Sequence, residues 1–165
     1  MKQKDNLEYH AVKNFIAEYN HTHMRHLHFI CQCKPPKPDA ICRHHKKEIG
    51  VEIAHTYGTG EEAAIRLGNR NSNDFPDKVH RKRRIIPINF RALNSLNKIL
   101  TKKATRAYEL SNTWLVVRNA FPLWSLSDYR KYKKEIFIPE KHPFDQIWLL
   151  CDKNSVKPNG IMRIN

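Results

Sequence analysis

The stretch "KPDAICRHHKKEIGVEIAHT", residues 37–56, decides how the chain folds. It reads as two strands, 38–43 and 49–55, folded back on each other and rich in apolar and β-branched residues. Each strand carries one carboxylate, Asp39 and Glu52. Side chains alternate faces along a strand, so Gly50, Glu52 and Ala54 share one face. Ile49, Val51 and Ile53 share the other, which is expected to be the packed one. With a two-residue turn at His45-Lys46, facing residues have numbers that sum to 91. Asp39 then stands across from Glu52, with Cβ atoms about 4.5–5.5 Å apart. A register change of one residue would send Asp39 to the opposite face.

Two ionised carboxylates that close repel, and one is forced neutral unless a positive charge lies between them. A hard divalent cation solves this most simply, because Mg²⁺ takes carboxylates together with phosphate oxygens and waters. The bland alternative has Asp39 starting a turn after Pro38 while Glu52 pairs with a surface Arg or Lys.

The rest of the composition makes an acid pair conspicuous. The 165 residues hold 30 Lys and Arg against 16 Asp and Glu, a net charge of +14. Such a field attracts polyanions, of which nucleic acid is the commonest; DNA is favoured over RNA as the partner, a choice the charge itself does not make. Apolar residues make up 40% of the chain, enough for one real core in a single domain spanning 1–165. No apolar run reaches the length of a membrane span and no signal-type segment follows residue 6, so a soluble, cytoplasmic protein is expected. Cys31, Cys33, Cys42 and Cys151 sit in apolar, strand-like segments, as reduced core thiols would.

Outward from the hairpin, residues 5–19 read as a helix, with Leu7, Ala11, Phe15 and Tyr19 on one stripe. Residues 25–33 read as a strand that "KPPKP" stops. A short helix is expected over 58–68, then a mobile basic loop over 69–84 and an extended piece over 85–90. A long helix follows from 90 to 108, with Leu93, Leu96, Leu100, Ala104 and Ala107 inward and Arg91, Lys98, Lys102 and Arg106 on its other side. "TWLVVRN" (113–119) and "FDQIWLLCD" (144–152) read as strands buried on both faces. Between them, 125–136 reads as a Ser-capped helix, and "IMRIN" closes the chain as a short strand. The order implies an α/β protein with a mixed sheet flanked by helices.

"PDAICRHHKKEIGVEIA" resembles the core motif of the PD-(D/E)xK nuclease superfamily, the restriction-endonuclease-like fold. In that family a Pro-Asp opens one hairpin strand and an acid lies in the next, usually followed two residues later by a lysine. The resemblance extends in outline to the long helix with "KK", to "TWLVV" and to "FDQIWLL". It implies a mixed central sheet of about five strands and hydrolysis of phosphodiesters by a water activated on Mg²⁺ or Mn²⁺. It implies Asp39 and Glu52 as metal ligands, joined by Glu8 from the first helix in preference to Glu18. Ala54 stands where the family usually has its catalytic lysine. Either a cation from a neighbouring element replaces it, with Lys102 the first choice and Lys98 and Arg106 on the same face, or the fold only binds. The rival function is therefore a catalytically inactive nucleic-acid-binding or regulatory module. Many members of the family work as dimers, so a homodimer is one expected assembly.

Weaker signals complete the reading. "HRKRR" (80–84) supplies Arg81, Lys82, Arg83 and Arg84 as candidate phosphate contacts. "HTHMRHLHF" carries four histidines and is followed by Cys31 and Cys33, but it lacks CxxC or HxxxH spacing, so zinc is disfavoured. "GTGEE" (58–62) lacks the ending of a phosphate loop. Among the tryptophans, only Trp124 is expected to be exposed.

Overall fold

In a computed structural model of the chain, residues 3–56, 88–121, 123–151 and 160–165 are described. The helix expected over 58–68, the basic loop over 69–84 with Arg81, Lys82, Arg83 and Arg84, and residues 85–87 lie outside the described residues.

The four-residue stripe near the N-terminus builds the first helix, α1 (Gln3–His23), with Ala11, Val12, Phe15 and Tyr19 buried. Asp5 in its first turn complements the helix dipole. β1 (Leu27–Gln32) follows, then the hairpin of β2 (Ala40–His44) and β3 (Lys47–Thr56). The hairpin register is the one expected: Ala40 faces Val51, Ile41 faces Gly50 and His44 faces Lys47. His45 makes the tight turn with φ of 55°, in the left-handed region that two-residue hairpin loops require.

α2 (Ile88–Ala104), β4 (Thr113–Asn119), α3 (Leu126–Lys131), a 3₁₀ turn (Lys133–Glu135), β5 (Phe144–Cys151) and β6 (Gly160–Arg163) complete the order. The sheet is six-stranded and mixed, ordered β1-β2-β3-β4-β5-β6. β1, β2 and β3 pair antiparallel, β3, β4 and β5 parallel, and β6 antiparallel to β5. The architecture is mixed α/β, with helices on both faces of the sheet.

Both faces of β3 are packed, where only the Ile49–Val51–Ile53 face was expected to be. Those three residues join Trp114, Val116, Trp148 and Leu150 beneath α1. On the opposite face Ala54, Leu115, Val117, Ile147 and Leu149 meet Ala92, Leu93, Leu96 and Leu100 of α2. Double coverage explains why β4 and β5 read as unbroken apolar runs.

Several expectations change in detail. The long helix ends at Ala104 rather than 108, so Ala107 is exposed instead of inward. The sheet has six strands, as the element order reads, where the resemblance implies about five; the terminal "GIMR" pairs with β5. Residues 88–90, expected to be extended, open α2. Trp124 is buried, stacked on Tyr132 at 5.4 Å. Cys31, at the sheet edge, is exposed, and Cys33 beside it is half-buried; only Cys42 and Cys151 are core thiols.

Candidate functional site

The hairpin places its acids by a close backbone fit. Pro38 lies directly over Gly50, where a Cβ would come within 2.5 Å of the Pro38 ring. The residue before Asp39 is thus seated two positions before Glu52, and any larger residue at position 50 would push it away. Asp39 is then fixed at both ends. Its carbonyl accepts from Cys33 N at 2.9 Å and its carboxylate Oδ2 accepts from Ile53 N at 2.8 Å.

Glu52 is buried beneath the last turn of α2. Its Oε1 accepts a hydrogen bond from Lys103 Nζ, which also lies 3.5 Å from the Ile53 carbonyl. Arg106 Nη1 stands 4.0 Å from the same oxygen. Glu8, buried on α1, pairs with Lys4 one turn earlier at 3.0 Å. All of these residues line one cavity of about 500 Å³.

The electrostatics follow from this crowding. Burial raises the Asp39 carboxyl from its usual range to about 7, and the charges of Glu52 and Glu8 push the same way. The Ile53 amide and Lys103 pull it back only in part. The hydrogen bond to Glu8 holds the Lys4 ammonium above its ordinary value. Tyr108, also on the cavity wall, has its phenol pushed well upward by burial and by Glu52.

Asp39, Glu52 and Glu8 are therefore brought together, while Glu18 lies elsewhere on α1, partly exposed. Of the cations expected from the long helix, Lys102 is exposed and lines the cavity, and Arg106 stands on its exposed side just beyond the helix. Lys98 is exposed and does not line it. The ammonium that meets Glu52 belongs to Lys103 instead of Lys102. A signal for it existed: Leu93, Leu96 and Leu100 advance by three and four, so position 103 shares the inward stripe with Ala104. Lys4 and Tyr108 also escaped the sequence reading. Lys4 was legible only as the (i, i+4) partner of Glu8, and Tyr108 had no signal beyond its place after the helix.

A divalent cation suits the donor set, since hard carboxylate oxygens face an open cavity and their mutual repulsion already disturbs Asp39. They do not form a ready-made cage: among the described residues no three His, Cys, Asp or Glu side chains are grouped so as to hold an ion. Such an ion would rest on one or two carboxylates with water completing its shell, a pattern common for Mg²⁺. In the histidine-rich region, His23 stacks on Tyr19 at 4.7 Å, and Tyr19 Oη and His44 Nε2 lie 3.3 Å apart. His26 and His28 stack at 6.0 Å. No helix among the described residues is long and apolar enough to cross a membrane.

No family model and no curated protein sequence matches the chain. Among solved structures it is similar to that of Pyrococcus furiosus SfsA in complex with Ca²⁺, with 13% identity and a TM-score of 0.39. The match covers 96% of this chain and 62% of that one, so the chain spans less than two thirds of SfsA's length.

Proposed function

We propose that the protein is a metal-dependent nuclease that hydrolyses phosphodiester bonds, with DNA the favoured substrate. The observation that carries this reading is the pairing of Asp39 with Glu52 at one cavity, attended by Lys103, in a chain of net charge +14. A buried acid pair disfavours binding of a polyanion unless a cation intervenes, whereas the basic surface favours it.

Asp39 and Glu52 would hold Mg²⁺ or Mn²⁺, with Glu8 behind them. When bound, such an ion lowers the pKa of a coordinated water and offsets the charge gathering on the phosphoryl oxygens. Glu52 orients the attacking water. Lys103 supplies the positive charge that the resemblance leads one to expect at position 54, arriving from α2 instead of from β3. Its ammonium serves a non-bridging phosphate oxygen as the bond from water to phosphorus forms and the bond to the leaving oxygen breaks. Lys102 and Arg106, on the exposed side of the cavity, take neighbouring phosphates in a salt-sensitive way.

One observation favours the rival reading of a module that binds without cleaving. Lys103 already neutralises Glu52, and the three acids are not grouped into a metal cage. A single assay separates the two. Plasmid DNA incubated with the protein and Mn²⁺ is expected to be nicked, and Asp39→Ala or Glu52→Ala to abolish nicking. Metal-dependent binding without cleavage supports the rival, and cleavage that survives both substitutions removes the site from the mechanism.

A further inference from the structure

Tyr108 lies four residues beyond α2, on the wall of the cavity that holds Asp39, Glu52 and Lys103. Its ring packs on Phe144 with centroids 5.4 Å apart. Just beyond it the chain is tied to the sheet: Thr113 Oγ1 donates to the Leu110 carbonyl at 2.8 Å, and Gly50 N donates to the Asn112 carbonyl at 2.8 Å. The ring is therefore well anchored, but its hydroxyl is buried and has no hydrogen-bond partner among the described residues. Folded proteins rarely leave such a group unpaired, because its lost hydration goes uncompensated.

Glu52 is the acceptor at hand. Its charge and a side-chain approach to the hydroxyl both push the Tyr108 phenol further upward, yet the contact falls short of a well-formed hydrogen bond. At present Glu52 is served by Lys103, with Arg106 4.0 Å from the same oxygen. A carboxylate has lone pairs for about four hydrogen bonds, so another donor can be accommodated.

We propose that Tyr108 is a positioning residue, a reserve donor that binds Glu52 when Lys103 leaves it. In the reaction above, Lys103 serves a phosphate oxygen and cannot hold Glu52 equally well. A buried carboxylate stripped of its partner is strongly unfavourable. The Tyr108 hydroxyl takes over, keeps Glu52 in place and loses its own unpaired state. The role in turnover rests on the nuclease reading; the link between hydroxyl and carboxylate does not.

The test is a double-mutant cycle by thermal unfolding of the full chain in EDTA, free of metal and substrate. Tyr108→Phe is expected to leave Tm unchanged or raise it in the wild-type background, since it removes an unpaired buried hydroxyl. In a Lys103→Met background the same change is expected to lower Tm by about 2–6 °C. Lys103→Gln replaces Lys103→Met should the latter not fold. Equal shifts in both backgrounds, or none in the Lys103 variant, would overturn the proposal. In the cleavage assay Tyr108→Phe should lower kcat about tenfold with KM little changed, and an unaltered kcat contradicts the turnover role. Wild-type protein that does not cleave sinks the nuclease reading alone, and the unfolding cycle then decides the case for the hydroxyl.

Discussion

Lys103 reaches Glu52 from the last turn of α2, so a buried acid on the central strand is neutralised by a lysine 51 positions later in the chain. The small side chain of Ala54, two positions beyond Glu52 on the same face, is buried against the α2 side of the core. A positive charge thus reaches this face of β3 from the helix that covers it. Replacing Lys103 by Met should cut single-turnover cleavage more than 100-fold, about the loss expected when one preorganised donor to a developing oxyanion is removed. Lys102→Met should leave the cleavage rate within about threefold and weaken DNA binding, with a shallower salt dependence measured by anisotropy. Equal losses of rate in the two variants would speak against the assignment.

Asp39 gives the site a pH signature. Its folded carboxyl keeps its proton up to about pH 7, whereas an unfolded aspartate releases it near pH 3.9. Between those values the folded state binds more protons, so stability falls as pH rises. The contribution is fully present below about pH 4 and lost as pH passes 7, at most about 4 kcal/mol. Asp39→Asn keeps an acceptor for the Ile53 amide and removes the charge. In urea denaturation with EDTA it should be more stable than wild type by about 2–4 kcal/mol at pH 8 and no more stable near pH 4. An advantage that did not vary with pH would contradict the origin given for the shift.

Glu8 contributes to that shift from α1. Carboxyl titrations by NMR should show the Asp39 midpoint falling in Glu8→Gln and unmoved in Glu18→Gln. An unmoved midpoint in both would detach α1 from the site.

Much of the fold could be read from a few residues, and the reasons are local. The sum rule for the hairpin held because its turn is a two-residue one, although His45 had to enter the left-handed region without the Asn-Gly pair that usually announces such a turn. β4 and β5 were legible because burial on both faces leaves no polar alternation. The sequence of β3 reads as one-sided because Gly50, Glu52 and Ala54 look like a solvent face. Here Gly50 makes room for Pro38, Glu52 is paired and Ala54 is small enough to lie under α2. Lys103 was hidden for a related reason. Lysines are normally assigned to the outer side of a helix, and Lys102 was in step with the exposed Lys98 and Arg106, while Lys103 continued the buried leucine stripe.

The contact of Gly50 with Pro38 makes a stability prediction independent of chemistry. Gly50→Ala puts a methyl group 2.5 Å from the Pro38 ring. Overpacking of this kind costs roughly 1–3 kcal/mol, and relief by displacement of Pro38 would carry Asp39 with it. The variant should lose about that much stability in urea and most of its cleavage activity. Full stability with full activity would show that the fit is not needed to place the acid.

The most direct test of the shared-ion account is a crystal structure with Mn²⁺, with data collected at the manganese absorption edge. The account predicts one anomalous peak within ligand distance of both Asp39 and Glu52, with Lys103 withdrawn from Glu52. Fully occupied Mn²⁺ elsewhere, with Lys103 still bound to Glu52 and no peak between the two acids, would contradict it.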